Sequence, residues 1–590
     1  MADVTPQLQA AVAHHQAGRL ADAAAGYDDI LAEVPEHADA RHLRALIAFQ
    51  EGALDAALIG IDQAIGIDAD IAMYHANRGR VLKAAGRNED AAAAFAQALR
   101  LQPGEPGTLS DFAGALVDSG AAEHALHFVI RATELAPDFV PAHYNMGLAY
   151  LATGESRPAR AAFERAIEID PTFAPAHFEI GRLFHEEKNP GRAETHYRNA
   201  LAQDPSMIEA HANLGNLLRA RLDLEDAIVC YRHALDLDDG VAAVHGNLGV
   251  ALQEIGDAEA ALAAYDRALD LQPDDAETRR NRAQVLLQLG RYEEGWREFE
   301  WRWQTQHFAA IRRTWAMPQW QGERIKGDTV LVHAEQGFGD TLQFARYLPL
   351  LAARVAKVIV ECPSPVAGLV AGVAGVDDVV AAGQPLPDFD AHIPMMSLPG
   401  AFRTAERDIP ADVPYLSVPD AAINAWNGRF GEGGVVKVGI VWKGSQNHQR
   451  NQWRSPGLDA MRPLLAAEGA RFVSLQKDDE ALDLRTANLG THVLPMGQEF
   501  RDFSDTAAAI GHLDLVIAPD TSVAHLAGAL GKPVWLMLPH VAEWRWLMNR
   551  NDSPWYPTMR LYRQTARGDW RGAIDQMSLD LAAFSPPPRE

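Results

Sequence analysis

Two patterns of apolar and polar positions divide the chain. Over residues 4–307 one helical pattern recurs every 34 residues: Gly18, Gly52, Gly86, Gly120, Gly154, Gly256 and Gly290 share a register, with Lys188 and Leu222 in the two skipped places. In the same register stand Ala91, Ala125, Ala159, Ala193, Ala227 and Ala261, and four residues on Phe95, Phe163, Tyr197, Tyr231, Tyr265 and Phe299. Pro35, Pro103, Pro137, Pro171, Pro205 and Pro273 close the units. Each position has a reason in a helix-turn-helix unit. Glycine ends the first helix, the small alanine lets two helices approach, the aromatic fills the gap between neighbouring units, and proline stops the second helix.

From Thr329 the period changes. Thr329–His333, Lys357–Glu361, Val435–Val441, Arg471–Leu475, Leu513–Ala518 and Pro533–Leu538 read as short buried strands alternating with helices. Such alternation predicts parallel sheets covered on both faces. A Gly-rich stretch, Ala421–Gly434, separates two Rossmann-like halves. The expected organisation is therefore an α-solenoid of about nine repeats (4–307), a Trp-rich linker or cap (308–326), and α/β halves at 327–425 and 435–585.

The 34-residue register resembles the tetratricopeptide repeat, whose solenoids present a concave groove to peptides. In that family one column faces the groove, here Asn77, Asp111, Asn145, Glu179, Asn213, Asn247 and Asn281. The resemblance implies acceptor-peptide binding by Asn77, Asn145, Asn213, Asn247 and Asn281, whose amides both donate and accept. The other reading is that these amides bond within the scaffold. In the terminal unit Trp296, Phe299, Trp301 and Trp303 crowd one helix, and Trp315 and Trp320 follow. They read as a cap docking the solenoid onto the next domain, with carbohydrate stacking as the second reading.

Composition narrows the partners. The 590 residues carry 53 Lys+Arg against 79 Asp+Glu, a net charge of −26, which argues against nucleic acid. Residues 1–307 hold 26 basic and 48 acidic side chains, so the deficit lies in the solenoid. Two cysteines, Cys230 and Cys362, offer neither a disulfide framework nor zinc spacing. No secretory leader and no run long enough to span a membrane is visible, so a cytoplasmic protein without membrane insertion is expected.

Several segments carry candidate chemistry. Gly337-Phe-Gly-Asp340 joins the first strand to a helix; its glycines permit close backbone approach, but the third glycine of a dinucleotide fingerprint is missing. Asp340 reads either as a reactive carboxylate or as a simple helix N-terminal acid. Asp520-Thr-Ser-Val-Ala-His525 opens a helix after a strand, where Thr521, Ser522 and His525 suit a phosphate; the alternative is N-capping by Asp520 with a buried histidine. Lys443, Ser445, His448, Arg450, Arg454 and Ser455 make a basic polar loop that could offset a leaving diphosphate. Asp388-Phe-Asp390 matches a D-x-D metal string, but its Pro-rich strand-start setting argues against that use, and no metal site is expected.

Together Glu335–Asp340, Gly439–Gly444, Arg454-Ser455 and Asp520–Pro533 resemble heptosyltransferase-like glycosyltransferases of the two-Rossmann GT-B type. Fusion to repeats looks like bacterial flagellin-modifying enzymes that transfer nonulosonic sugars and, in layout, O-linked N-acetylglucosamine transferases. The resemblance implies inverting, metal-independent transfer without a cofactor, from a nucleotide-sugar to Ser/Thr of a protein, flagellin being the best single acceptor. The first half would take the acceptor and the second the nucleotide-sugar. Asp340 matches the base; Thr521, Ser522 and His525 match the donor-phosphate motif; Gly337, Gly339, Lys443 and Arg454 complete the nucleotide-sugar set. Arg450-Asn451 departs from the Asn-Asp of related repeat proteins. Alternatives are transfer to a lipopolysaccharide-type glycan, or a scaffold with an inactive transferase-like domain.

Overall fold

The computed structural model describes residues 4–325, 327–431, 435–444, 451–477 and 480–586. The chain forms two compact units that meet in sequence at Asp238/Asp239. The first holds seven antiparallel helix pairs, from Thr5–Gln16 with Leu20–Glu33 to Ile208–Ala220 with Leu224–Leu237. The second begins with two more pairs, Ala242–Ile255 with Ala258–Leu271 and Ala276–Gln288 with Tyr292–Phe299, and continues into the α/β part. The α-solenoid and α/β classes are those the periodicities predict.

The turn after each first helix is left-handed at the register position, from Gly18 (φ 72°) to Gly290 (φ 78°). Lys188 (φ 56°) and Leu222 (φ 68°) adopt the same conformation although they carry side chains. The geometry caps the helix: Gly154 N–H returns to Leu151 C=O (3.0 Å) and Glu155 N–H to Tyr150 C=O (2.8 Å). The aromatic column packs with the following unit, as Phe95 does with Phe112 and Ala115, and also within its own. Five of the rings rest on a glycine of their own unit's first helix: Gly79 under Phe95, Gly147 under Phe163, Gly181 under Tyr197, Gly215 under Tyr231 and Gly249 under Tyr265. A Cβ on any of these glycines would meet the ring at 2.3–2.7 Å, so the missing side chain makes room for the aromatic.

A further column went unread in the sequence. His143 donates to Pro137 C=O (2.7 Å), His177 to Pro171 C=O (3.1 Å), and His211 to Pro205 C=O (3.0 Å). Their register-mates His75 and His245 bond Ala69 and Asp239 in the same way. Arg41 and Arg279 reach Pro35 and Pro273 from the same place. Each bond satisfies a carbonyl that the preceding helix end leaves open.

The compact division precedes residue 307, where the periodicity changes. The last two pairs pack onto the α/β part: Gln288 Nε2 donates to Ala542 C=O (3.1 Å), and Trp296 Nε1 donates to Thr404 C=O (3.1 Å). Buried Arg302 holds buried Glu335 with two bonds (2.8 and 2.9 Å). Trp296 and Trp320 are buried in this core, as a docking cap requires.

The first α/β half is a four-stranded parallel sheet of β1 (Thr329–His333), β2 (Lys357–Cys362), β3 (Asp378–Ala381) and β4 (Ala391–Pro394), in the order β3-β2-β1-β4. The second has six parallel strands, β5 (Val436–Ile440), β6 (Ala470–Ser474), β7 (Val493–Pro495), β8 (Leu515–Pro519), β9 (Val534–Leu538) and β10 (Met559–Arg563), in the order β10-β9-β8-β5-β6-β7. The strands absent from the sequence reading, β3, β7 and β10, are all edge strands. Edge strands bury less and so lack the continuous apolar run of a central parallel strand. Strand order reverses between β1 and β4 and again between β5 and β8, and ligands of such sheets bind beyond the strand ends at these points.

Candidate functional site

The helix Phe338–Phe344 follows β1, and the helix Ser522–Ala529 follows β8. They cross closely at Gly339: a Cβ there would stand 3.0 Å from His525 Cδ2 and 3.6 Å from Ser522 Cα. The two segments singled out in the sequence, 335–340 and 520–525, thus form one site at the carboxyl ends of both sheets. Gly339 is what permits the approach, since any side chain would press on the imidazole.

Asp340 has both oxygens engaged. Oδ2 accepts from Gly337 N–H (3.0 Å), as a third-position helix acid does, and Oδ1 accepts from Arg545. Arg545 is buried and shared: it also donates to Glu543 and, through Nε, to Gln343 Oε1 (2.5 Å). Burial opposes its charge, but Glu543, Asp340 and Asp520 outweigh that and hold the guanidinium protonated.

Around His525 the polar atoms are similarly matched. Nδ1 lies 2.9 Å from Tyr556 Oη, Nε2 lies 3.6 Å from Asp520 Oδ1, and the ring stacks on Trp546 at 5.5 Å. Trp546 Nε1 donates to Asp520 Oδ2 (3.0 Å). Burial disfavours the Asp520 anion, but the His525 and Trp546 bonds and the Arg545 charge overcome this and lower its pKa. Asp520 does not cap the helix, contrary to the plainer reading of this segment. No side chain caps the start at Thr521, whose hydroxyl turns back to Pro519 C=O (3.2 Å). Among the described residues the first-turn N–H groups beside Ser522 are thereby left without a side-chain acceptor.

Lys443 leaves the end of β5, the neighbour of β8, on the far side of the order reversal. Its ammonium pairs with Asp483 (2.7 Å), which also accepts from Trp442 Nε1 (2.8 Å). Arg454 packs against Gly444, where a Cβ would meet its guanidinium at 2.6 Å. Its Nε is buried without a hydrogen-bond partner among the described residues. Ser455 Oγ accepts from Gly444 N–H (3.0 Å) and donates to Asn451 Oδ1 (2.7 Å). Ser445, His448 and Arg450 of the basic loop lie outside the described residues.

The residues that sequence reasoning left without a role are those that assemble the site. Arg545 and Trp546 sit in one three-residue turn, Trp544–Trp546, and Tyr556 packs its ring against Gly528. The signal was present as an unusual density of tryptophan and arginine, with no spacing to say what it faced. Asp390 of the D-x-D string accepts from Thr329 N–H (2.8 Å) and so fixes the start of β1.

In the repeats, Asn77 Nδ2 donates to buried His42 Nε2 (2.9 Å) and its Oδ1 accepts from Arg80 (2.8 Å). Asn145 Nδ2 donates to Ser110 C=O (3.0 Å) and Ser110 Oγ (2.9 Å). These two amides are bonded within the scaffold. Asn213, Asn247 and Asn281 are half-buried and have no such bond among the described residues.

Tetratricopeptide-repeat family models match residues 8–72, 140–173, 178–242 and 247–296. Protein FlbA of Caulobacter vibrioides is 28% identical over 322 residues, 50% of this chain and 53% of FlbA, so the chain spans about half the length of that curated relative. Among solved structures, YrrB, a repeat protein with an unusual peptide-binding site, is 25% identical with a TM-score of 0.28, over 32% of this chain and 96% of its own. The Cut9–Hcn1 hetero-tetramer of APC/C is 17% identical with a TM-score of 0.37, over 48% of this chain and 56% of the other. A repeat protein of Parabacteroides merdae is 14% identical with a TM-score of 0.37, over 42% of this chain and 98% of its own. No helix among the described residues is long and apolar enough to cross a membrane. The helix pairs within the matched residues are tetratricopeptide repeats, and the repeat region precedes an α/β part of two parallel sheets.

Proposed function

We propose that the α/β part is a GT-B-type glycosyltransferase that moves a sugar, with inversion, from a nucleotide-sugar to a Ser or Thr hydroxyl of a protein held by the repeats. The observation that supports this most is the meeting of Gly339 with Ser522 and His525, which joins a carboxylate and an uncapped helix start in one cleft. Asp340 accepts the hydroxyl proton as the acceptor oxygen bonds the anomeric carbon. The bond from that carbon to the nucleotide oxygen breaks, and the electron pair leaves with the diphosphate. The first-turn N–H groups and the Ser522 hydroxyl receive it, with Lys443, Arg454 and His525 supplying further donors. Lys443 must share its charge with Asp483, so Arg454 is the cation with more donors to give.

Asp340 is bonded on both oxygens, yet a carboxylate has about four lone-pair sites and can accept a third donor. In this reading Arg545 fixes its direction. The acceptor segment is gripped where Asn247 and Asn281 of the second unit have amides without a hydrogen bond among the described residues, and flagellin is the first acceptor to test.

The test is the intact mass of flagellin from cells with and without the gene, followed by complementation with Asp340→Asn. Loss of sugar-sized mass increments in the deletion, restored by wild type and not by Asp340→Asn, is expected. Unchanged flagellin mass would remove that acceptor. Restoration by Asp340→Asn would remove the base.

A further inference from the structure

The short segment Val541–Trp546 has two sides. Toward the site, Arg545 donates to Asp340, and Trp546 donates to Asp520 (3.0 Å) and stacks on His525 at 5.5 Å. Toward the last two repeats, its other residues meet helix ends. Val541 lies against Gly256, the left-handed end of the helix Ala242–Ile255, where a Cβ would stand 3.2 Å from Val541 Cγ2. Ala542 C=O accepts from Nε2 of Gln288 (3.1 Å), the last residue of the helix Ala276–Gln288. Trp544 meets Trp296 of the following helix edge-on at 5.3 Å.

The turn is held from outside at both ends. Leu547, which closes it, sits at φ 49° and ψ −166°, a conformation that a residue with a side chain keeps only where its surroundings enforce it. Arg563 does so at that end, donating to the C=O of Trp546 (2.6 Å) and of Leu547 (3.0 Å). Gln288 restrains the other end. Both Gln288 and Ala542 are buried, so a carbonyl that lost this donor would have no water to replace it, and the bond is costly to break. Gln288 also stands seven residues after Asn281, hence on the same face of one helix, about 10 Å further along. The helix face that carries Asn281 therefore ends against the turn that fixes Asp340 and His525.

We propose that the last two repeats set the geometry of the Asp340–His525 cleft through this turn, with Gln288 as the positioning residue. The repeats then shape the site as well as hold the acceptor. The consequence for sugar transfer rests on the transferase reading above, whereas the coupling itself is measured with no substrate present.

Hydrogen exchange read by mass spectrometry on the full chain tests the coupling. Gln288→Met removes the donor at nearly constant shape. Exchange is expected to rise at least fivefold in the helices Phe338–Phe344 and Ser522–Ala529, which carry neither end of the lost bond. Gln288→His, whose Nε2 reaches as far as the glutamine amide, should restore protection. Arg567→Met is the control: it breaks a bond of the same kind outside the turn, from Arg567 to Glu254 C=O (2.5 Å), and should leave both helices unchanged. If Gln288→Met does not fold, Val541→Ala, at a half-buried position, loosens the same turn, and exchange in the same two helices decides the question. A rise confined to 276–299 and 540–544, an equal rise in Arg567→Met, or no recovery in Gln288→His would each overturn the assignment. Transfer has no part in this readout, so a chain that transfers no sugar would sink the transferase reading and leave the coupling standing.

Discussion

The guanidinium of Arg545 donates to the carboxylate of Asp340 across 205 residues of sequence, and the same group donates to Glu543. One buried cation therefore couples the first sheet's helix start to the turn that also carries Trp546, the residue stacked on His525. The acid, the histidine and the helix start are held as one set by a residue that touches neither the proposed phosphate nor the proposed acceptor.

Replacing that residue should be severe in two separable ways. Arg545→Met leaves Asp340 and Glu543 unpaired around a closed space and is expected to cost roughly 3–5 kcal/mol of stability. Arg545→Lys keeps the charge but not the fork that spans two carboxylates, so it should recover much of the stability and little of the transfer rate. Transfer is expected to fall by roughly 100-fold in Arg545→Lys, the effect of a carboxylate about 1 Å out of place. A lysine variant with full transfer would show that Arg545 is structural only.

The left-handed turn at Leu222 makes a prediction about the repeats alone. A side chain in this region costs roughly 1–2 kcal/mol, and glycine relieves it while losing about 0.5–1 kcal/mol in chain entropy. Leu222→Gly should therefore raise the stability of the first unit by about 0.5–1 kcal/mol, and Gly154→Leu should lower it by a similar amount. Urea unfolding followed by far-ultraviolet circular dichroism checks both. No gain in Leu222→Gly would mean that the side chain has a packing contribution that outweighs the strain.

These cases show what the sequence could and could not display. The register that predicted the turn was visible even where glycine is absent, because a 34-residue period is redundant and Lys188 and Leu222 inherit their conformation from their neighbours. The central strands were legible because burial on both faces forces continuous apolar runs, while edge strands such as β10 escaped for want of that constraint. At the candidate site, Asp340, Thr521, Ser522 and His525 could be singled out because a strand end followed by a helix start is a local signature. Arg545, Trp546 and Tyr556 were not, because their roles exist only through partners 26 to 205 residues away. The histidine column in the repeats was periodic and readable, but its meaning lay in a carbonyl that only the folded turn exposes.

Packing of the aromatic column on glycine can be tested by a double mutant. A Cβ at Gly147 would stand 2.3 Å from the Phe163 ring, so Gly147→Ala should cost about 1–3 kcal/mol through overpacking. Phe163→Leu alone should cost a comparable amount by loss of burial. In the double variant the methyl occupies space that the smaller residue vacates, and the sum should fall short by at least 1 kcal/mol. Strict additivity would mean that the ring is not what excludes a side chain at 147.

The neutral His333 predicts a pH dependence with a definite sign. Its pKa is lowered to about 3 by burial and by the charges of its neighbours, against about 6.5 in the unfolded chain. Between these values the unfolded chain binds the extra proton, so this group's contribution is complete above about pH 6.5 and is lost as pH falls toward 3. All 13 tryptophans follow Asp239, so indole fluorescence reports the second unit alone. Between pH 7 and pH 5 the wild-type unit should lose about 2 kcal/mol more stability than His333→Phe, which cannot take up that proton. The comparison is of slopes, so a uniform destabilisation by the larger ring leaves it intact. Parallel urea midpoints at the two pH values would show that His333 stays accessible to protons in the folded chain.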